Sequence, residues 1–235
     1  MWNGTEDKIK VKITWIRHGM TQANGEHRYL GKTDEPLSET GIRLLQEKKK
    51  EYFSSPPEFL YTSPMKRCVQ TAELLFERNP ILIPEWKEMD FGQFEGKNYE
   101  DLKDDPCYQK WIDSNGTLPF PGGESREQFI RRSMEGFDRM MSDILKRSEK
   151  NTGRQNDKDP RYLNSDRGTE IPVVVVVHGG TIMAVLSSLT GGEYFDFQVK
   201  NGEGYETVLE WIQGRWKITS LTKIGCEDSK SEHLQ

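Results

Sequence analysis

The sequence contains little cysteine, no long hydrophobic run and no excess of positive charge. Its three cysteines, Cys68, Cys107 and Cys226, are odd in number and form no CxxC pair. This pattern disfavours a disulfide framework and a zinc site, and it favours reduced thiols. The purest apolar run, residues 173–177, is far too short to cross a bilayer.

The balance of charge gives the chain no general affinity for polyanions. The formal net charge is -5 and the pI is about 5.6, so neither nucleic acid nor a membrane surface is expected as a partner, and any affinity for an anion must come from a local cluster. The first ten residues, MWNGTEDKIK, carry charges where a signal peptide needs an apolar core. We therefore expect a cytoplasmic protein.

The 235 residues are expected to form a single domain spanning 1–235. No linker rich in proline, glycine or serine divides the chain into halves with separate apolar patterns. Residues 146–170 contain Tyr162 and Leu163 as their only large apolar side chains. Such a segment cannot bury enough surface to form a core, and we predict a polar loop or insertion there.

Strand patterns alternate with helical ones along the chain. Val11, Ile13 and Trp15 alternate as in a strand, and the all-apolar residues 173–177 are typical of a central strand covered on both faces. This alternation predicts an α/β fold, a three-layer α/β/α sandwich with a mostly parallel central sheet. Sheets of this kind bind ligands beyond the carboxyl ends of their strands.

Several helix starts can be predicted from capping residues. Ser38 is a predicted N-cap, with Leu37 and Ile42 placed as a hydrophobic staple. The pair Ser63-Pro64 predicts a second helix start, with the serine as N-cap and the proline in the first helical position.

The longest predicted helix and an edge hairpin lie further along the chain. Ser125 and Gln128 form a capping box, and the apolar face that follows continues to about Lys146. Residues 207–212 and 215–221 are predicted to form a hairpin at the sheet edge.

Four charged or titratable side chains follow predicted strands. Arg17 and His18 end the first strand, Arg67 lies in the first turn after the second, and His178 follows residues 173–177. All four are expected at one sheet edge. A neutral imidazole beside fixed positive charges is suited to in-line attack on a phosphoryl group.

The chain resembles the histidine phosphatase superfamily, the phosphoglycerate mutase-like proteins, in five blocks that occur in the same order and spacing from about residue 10 to 211. The blocks are Arg17-His18-Gly19 with Thr21 and Asn24, Ser63-Pro64-Met65-Lys66-Arg67 with Gln70-Thr71-Ala72, Glu88 before Phe91-Gly92, Pro121-Gly122-Gly123-Glu124-Ser125, and His178-Gly179-Gly180.

Within the superfamily, the chain is most similar to the α-ribazole phosphatases of cobalamin biosynthesis and to the broad-specificity phosphatases. Residues 91–96 and 204–210 carry this similarity. The cofactor-dependent phosphoglycerate mutases resemble it less, because their Glu-Arg-His-Tyr-Gly block is here Glu88-Met89-Asp90-Phe91-Gly92.

The resemblance implies a catalytic role for each matching residue. His18 is the nucleophile, kept neutral by Arg17, Arg67 and a protonated His178, and Glu88 is the proton donor. The same two arginines and His178, together with Asn24 and Gly179, are expected to bind the phosphate. The helix N-termini after Gly19, Ser63 and Gly180 add backbone donors, and neither a metal nor a cofactor is required.

Two other acidic residues compete with Glu88 for the role of proton donor. Asp90 and Glu95 are close to it in sequence, although Glu95 is more readily interpreted as capping the backbone of its own loop. Specificity is expected to come from residues around five aromatic side chains: Tyr29, Phe94, Trp111, Phe120 and Tyr205.

The leading hypothesis is a histidine acid phosphatase-type phosphomonoester hydrolase that forms a phosphohistidine. It would act without metal on a small phosphorylated metabolite, with α-ribazole 5'-phosphate as a candidate. A cofactor-dependent phosphoglycerate mutase and a non-catalytic module that binds a phospho-ligand are the alternatives, and fold alone does not separate them. The sequence does not indicate the oligomeric state.

Overall fold

The computed structural model describes residues 9–52, 57–152 and 170–225. The strands are β1 Lys10–Arg17, β2 Phe59–Thr62, β3 Ile81–Leu82, β4 Ile171–Val177, β5 Gly204–Ile212 and β6 Arg215–Ile224. The helices are α1 Gln22–Gly25, α2 Glu39–Tyr52, α3 Lys66–Phe76, α4 Tyr99–Leu102, α5 Pro106–Asp113, α6 Arg126–Thr152 and α7 Gly179–Thr190.

Six strands form one mixed sheet in the order β3-β2-β4-β1-β5-β6. The pairs β3-β2, β2-β4 and β4-β1 are parallel, whereas β5 runs antiparallel to β1 and β6 antiparallel to β5. In the β1-β4 pair, Arg17 lies opposite Val177, so the residues that follow these strands emerge side by side. The predicted α/β class and edge hairpin are confirmed.

Each face of the sheet packs against its own helices. Val11, Ile13 and Trp15 of β1 are buried in a cluster that includes side chains of α6 and α7. Ile16 contacts the opposite cluster, formed with α2 and α3. Side chains of β1 therefore enter both faces of the sheet, as a pattern with a period of two predicts. The sheet is the middle of three layers.

The capping predictions have mixed outcomes in the first half of the chain. Ser38 accepts a hydrogen bond from the Gly41 amide at 3.0 Å, as an N-cap does. Ile42, however, is 36% exposed and lies outside the apolar cluster that contains Leu37. The predicted staple therefore adds no buried contact to that cluster.

The second predicted helix start is wrong. Helix α3 begins at Lys66 with Met65 in the N-cap position, because a residue before proline, here Ser63, is pushed towards extended geometry. The Ser63 hydroxyl is also engaged elsewhere, with the imidazole of His178 at 2.8 Å.

Helix α6 is longer than predicted. Its capping box is confirmed, since Ser125 and Gln128 exchange side chain to backbone hydrogen bonds of 2.9 and 3.1 Å. The helix continues to Thr152, so the predicted loop over 146–170 is wrong over its first seven residues. Charged residues are good helix formers when they face solvent, and Arg147 pairs with Asp143 one turn back. Residues 153–169 lie outside the described residues.

None of the helices in the three described ranges is long and apolar enough to cross a membrane.

Candidate active site

His18 is buried directly after β1, and its ring is held in one orientation. Its backbone amide donates to the carbonyl of Val177 at 2.9 Å, which continues the β1-β4 pairing by one residue. Its Nδ1 lies 2.7 Å from the carbonyl oxygen of Gly19. A carbonyl only accepts hydrogen bonds, so Nδ1 carries the proton and Nε2 carries the free lone pair. Nε2 is therefore the ring nitrogen that is able to act as a nucleophile.

The pKa of His18 lies well below its ordinary value of 6.5. Burial is the largest cause, and the positive charges of Arg67 and Arg17 lower the pKa further. The imidazole is therefore neutral at physiological pH, which is the form that can attack phosphorus.

Two guanidinium groups accompany His18, that of Arg67 fully buried and that of Arg17 partly buried. Neither forms a salt bridge with a carboxylate of the described residues. Arg17 donates from Nη1 to the carbonyl of Val199 at 2.8 Å, and Arg67 donates to the carbonyls of Gly31 and Thr33 at 3.0 Å each. Their Nε atoms are buried and have no hydrogen-bond partner among these residues. Buried charges held only by neutral acceptors favour an anion beside them.

Glu95 supports Arg67 from a distance. Its carboxylate accepts hydrogen bonds from the amides of Gly31 at 2.9 Å and Thr33 at 3.0 Å, and the carbonyls of these same residues bind Arg67. Glu95 was expected to cap the backbone of its own loop. It is a capping residue, but the amides that it caps belong to the segment 31–33 instead. A carboxylate engaged in this way is a positioning group rather than an acid.

His178 is fully buried as the N-cap residue of α7, and its ring centroid lies 5.2 Å from that of His18. Its Nε2 is 2.8 Å from the Ser63 hydroxyl. Burial and the charge of Arg67 hold its pKa well below 6.5, which favours the neutral form here, and the protonated form expected from the sequence stays a prediction. Negative charge placed between the two histidines would favour protonation.

Glu88 is the acid that the structure places beside the histidines. Its Oε2 lies 3.7 Å from Nδ1 of His178, and its Oε1 accepts the Met89 amide at 2.9 Å. Burial raises its pKa above the ordinary 4.5 although Arg67 opposes the shift. Asp90, in contrast, is 38% exposed in its ion pair with Lys32.

Arg132 holds the loop that carries Glu88, and the sequence analysis missed it. Its guanidinium donates to the carbonyls of Glu85, Lys87 and Glu88 at 2.8, 2.6 and 3.0 Å, and it binds Glu124 through two hydrogen bonds. The sequence pattern places Arg132 on a predicted helix, but no spacing between residues in the sequence connects it with residues 85–88.

Asn24 and Asn201 hold the backbone around His18. Asn24 Oδ1 accepts from the Thr21 amide at 3.3 Å and from Asn201 Nδ2 at 3.1 Å. Asn201 Nδ2 also lies 3.0 Å from the carbonyl of His18. The carbonyl end of Asn24 is thus engaged, which leaves its amide nitrogen for the predicted phosphate contact. Asn201 was missed because no strand or helix pattern leads to it.

Helices α1 and α3 follow Gly19 and Ser63 as expected, whereas α7 already begins at Gly179 rather than after Gly180. The Gly19 amide donates to the Thr71 hydroxyl at 3.0 Å, so it is not free for an anion. Gly179 is the first residue of α7, and a Cβ at this position would lie 3.5 Å from Arg17. A Cβ at Gly180 would lie 2.9 Å from Glu88 Oε1, so this helix end adjoins both charged groups.

A cavity of about 310 Å³ adjoins Arg17, Glu88 and the first two residues of α7. This volume lies at the small end of the range for small-molecule sites. Three of the five predicted specificity residues line it, but Phe94 is fully buried in the core and Tyr205 packs against Phe197. The cavity walls include Arg17, Tyr29, Glu88, Phe91, Trp111, Phe120, Arg126, Gly179, Gly180, Tyr194, Phe195 and Val199.

Residues 13–152 match the family model described as "Histidine phosphatase superfamily (branch 1)". That segment covers more than half of the chain and contains Arg17, His18, Arg67 and Glu88. The uncharacterised phosphatase PhoE of Bacillus subtilis is 27% identical over 88% of this chain and 91% of its own.

Two further comparisons concern proteins named for particular substrates. The adenosylcobalamin/α-ribazole phosphatase of Salmonella typhimurium is 30% identical over 52% of this chain and 63% of its own. The structure of a phosphoserine phosphatase variant from Entamoeba histolytica with phosphoserine superposes with a TM-score of 0.64, at 25% identity, over 90% of this chain and 96% of that one.

Proposed function

The chain belongs to branch 1 of the histidine phosphatase superfamily and is a phosphomonoester hydrolase of this type, and we propose that it works through a phosphohistidine on His18. One observation carries this proposal. The free Nε2 of a neutral, buried imidazole is accompanied by two guanidinium groups whose Nε atoms have no hydrogen-bond partner among the described residues. Such a site provides both a nucleophile and compensation for phosphate charge.

In the first step, His18 Nε2 attacks phosphorus as the bond from phosphorus to the ester oxygen breaks. Glu88, whose pKa is raised by burial and rises further beside a bound phosphate, gives its proton to the leaving oxygen, so the alcohol departs neutral. In the second step, the Glu88 carboxylate takes a proton from water as the water oxygen attacks phosphorus. The bond from Nε2 to phosphorus breaks, and inorganic phosphate and free His18 result.

The remaining site residues act on the phosphate oxygens. Arg17 and Arg67 supply fixed positive charge, and the Asn24 amide and the N-terminus of α7 at Gly179 supply hydrogen-bond donors. His178 gains a proton when the phosphate dianion binds beside it, and it then becomes the third cation.

The proposed substrate is a small phosphorylated metabolite, and α-ribazole 5'-phosphate is one candidate. A relative named as an α-ribazole phosphatase supports this candidate, whereas the structural match to a phosphoserine phosphatase supports phosphoserine as another candidate. The net charge of -5 gives no reason to expect a nucleic acid or membrane partner, and we propose a cytoplasmic location.

Hydrolysis is expected to proceed in excess EDTA. Within the described ranges, no three His, Cys, Asp or Glu side chains are grouped so that they could hold a metal ion, and Arg17, Arg67 and His178 provide the positive charge instead. Phosphate release from p-nitrophenyl phosphate, α-ribazole 5'-phosphate and phosphoserine, measured before and after chelation, tests this. Activity that disappears on chelation and returns with Mg²⁺ or Zn²⁺ would contradict the proposed mechanism.

With 3-phosphoglycerate and catalytic 2,3-bisphosphoglycerate, we expect inorganic phosphate rather than 2-phosphoglycerate as the product. The reason is that the segment after Glu88 departs from the mutase block. Phosphorus NMR distinguishes the two products in one sample. Isomerisation faster than phosphate release would favour the mutase. Binding of phosphate esters without turnover of any would favour the non-catalytic module.

A further inference from the structure

Arg126 contributes a second positive charge to the cavity, on a different element from Arg17. It is the first residue of α6 and is half-buried, and its Cζ lies 5.5 Å from the ring centroids of both Tyr194 and Phe195. Contact with aromatic rings restrains the guanidinium and leaves its N–H edges available.

No acidic side chain of the described residues forms a salt bridge with Arg126. The acid nearest to it in sequence, apart from its exposed neighbour Glu127, is Glu124, and this carboxylate is bound by Arg132 at 2.7 and 2.8 Å. In the part of the chain that the structure describes, the Arg126 guanidinium has no salt bridge and lies against the rings of Tyr194 and Phe195. A half-buried arginine with this environment is available to an anionic ligand.

The cavity is continuous from the catalytic residues to Arg126. Arg17, Glu88 and Gly179 line one part of it, and Arg126 and Phe195 line another. A phosphate beside Arg17 therefore directs its organic group into the same cavity that Arg126 enters. Phe195 is 47% exposed, so this part of the wall reaches solvent.

The walls between these charges are aromatic and contain an unused donor. Tyr29, Phe91, Trp111 and Phe120 contact one another at ring centroid distances of 4.8 to 6.2 Å. The indole Nε1 of Trp111 is buried without a hydrogen-bond partner among the described residues. Aromatic walls with few polar groups suit a flat or apolar alcohol rather than a heavily hydroxylated one.

We propose that Arg126 binds a carboxylate on the alcohol part of the substrate, so that the enzyme favours compact phosphomonoesters whose leaving group bears an acid. This inference rests on the proposed function, because it needs a phosphate at Arg17 and His18. The planar fork of arginine matches a carboxylate with two parallel hydrogen bonds. A substrate that spans both cations is then fixed at its two ends.

The test compares 4-carboxyphenyl phosphate with the neutral 4-(hydroxymethyl)phenyl phosphate in wild type and Arg126→Gln. The variant should lose about 10- to 100-fold in kcat/KM for the carboxylate, mainly through KM, since a hydrogen-bonded charge pair is removed. The neutral substrate should change by less than about twofold, because it makes no such pair. Each substrate is compared between wild type and variant, so differences in leaving-group chemistry between the two substrates cancel. Arg126→Lys should recover part of the loss in kcat/KM for the carboxylate.

Arg43→Gln provides the matched control. Arg43 is exposed on helix α2 and does not line this cavity, so this variant removes the same charge away from the substrate and both substrates should be unaffected. Equal losses for the two substrates in Arg126→Gln, or equal effects of the two arginine variants, would overturn the carboxylate assignment alone. Wild type that hydrolyses neither substrate would overturn the proposed function and, with it, this inference. Thermal unfolding of each variant confirms that it is folded.

Discussion

Replacement of His18 by alanine is expected to reduce turnover by about 10⁴- to 10⁶-fold, as loss of an essential nucleophile does. The ring lies beyond the last residue of β1 and outside the apolar clusters of the sheet, so the variant should remain folded. A short pulse with phosphorus-labelled substrate should leave an acid-labile, base-stable label on the wild type. The variant should carry none.

His27→Ala provides a control for this experiment. The His27 side chain is exposed, and its backbone amide, which donates to the carbonyl of Asn24 at 3.2 Å, is kept in the variant, so both turnover and label should be unchanged. Circular dichroism and the midpoint of thermal unfolding establish that each variant is folded. Label that persists on His18→Ala would place the nucleophile on another residue.

Replacement of Glu88 by glutamine is expected to slow the cleavage of alkyl phosphates by about 10²- to 10⁴-fold, the usual contribution of a general acid. Cleavage of p-nitrophenyl phosphate should be slowed far less, because nitrophenolate departs without a proton. The amide oxygen of glutamine can still accept the Met89 amide that now binds Oε1, so the loop should keep its shape. Phosphate affinity should also persist, since Arg17 and Arg67 remain.

The measurement must isolate formation of the phosphoenzyme in single turnovers. In the proposed mechanism the later hydrolysis uses the Glu88 carboxylate as a base, so it would slow equally for both substrates. Asp90→Asn is the matched control and should alter neither rate, because Asp90 lies in an exposed ion pair. If the first step slows equally for alkyl and aryl substrates in Glu88→Gln, the proton comes from another group.

The residues that end strands could be predicted from sequence, and the reason is geometric. Alternation in β1 and the unbroken apolar run in β4 define two strands of one parallel pair, and carboxyl ends of parallel strands share an edge. This geometry alone places Arg17, His18 and His178 at the same edge of the sheet. Arg67 is placed there because it is the second residue of α3, the helix that follows β2.

The residues that hold the loops in place could not be predicted in the same way. Arg132, Asn201 and Glu95 act through hydrogen bonds between segments 44 to 183 residues apart. Such contacts produce no period in the sequence, and each residue alone is compatible with an exposed surface position. Errors in helix ends have local causes, namely the extended geometry before Pro64 and the helix propensity of charged residues near Lys146.

The position of β4 has a consequence for how the chain folds during synthesis. This strand lies between β1 and β2 in the sheet, yet it is translated more than a hundred residues after both of them. A nascent chain that ends before residue 171 therefore has β1 and β2 without the neighbour that joins them. Unpaired strand edges of this kind are prone to aggregation. We infer that chaperones would engage N-terminal fragments and that the fold closes late, once β4 leaves the ribosome.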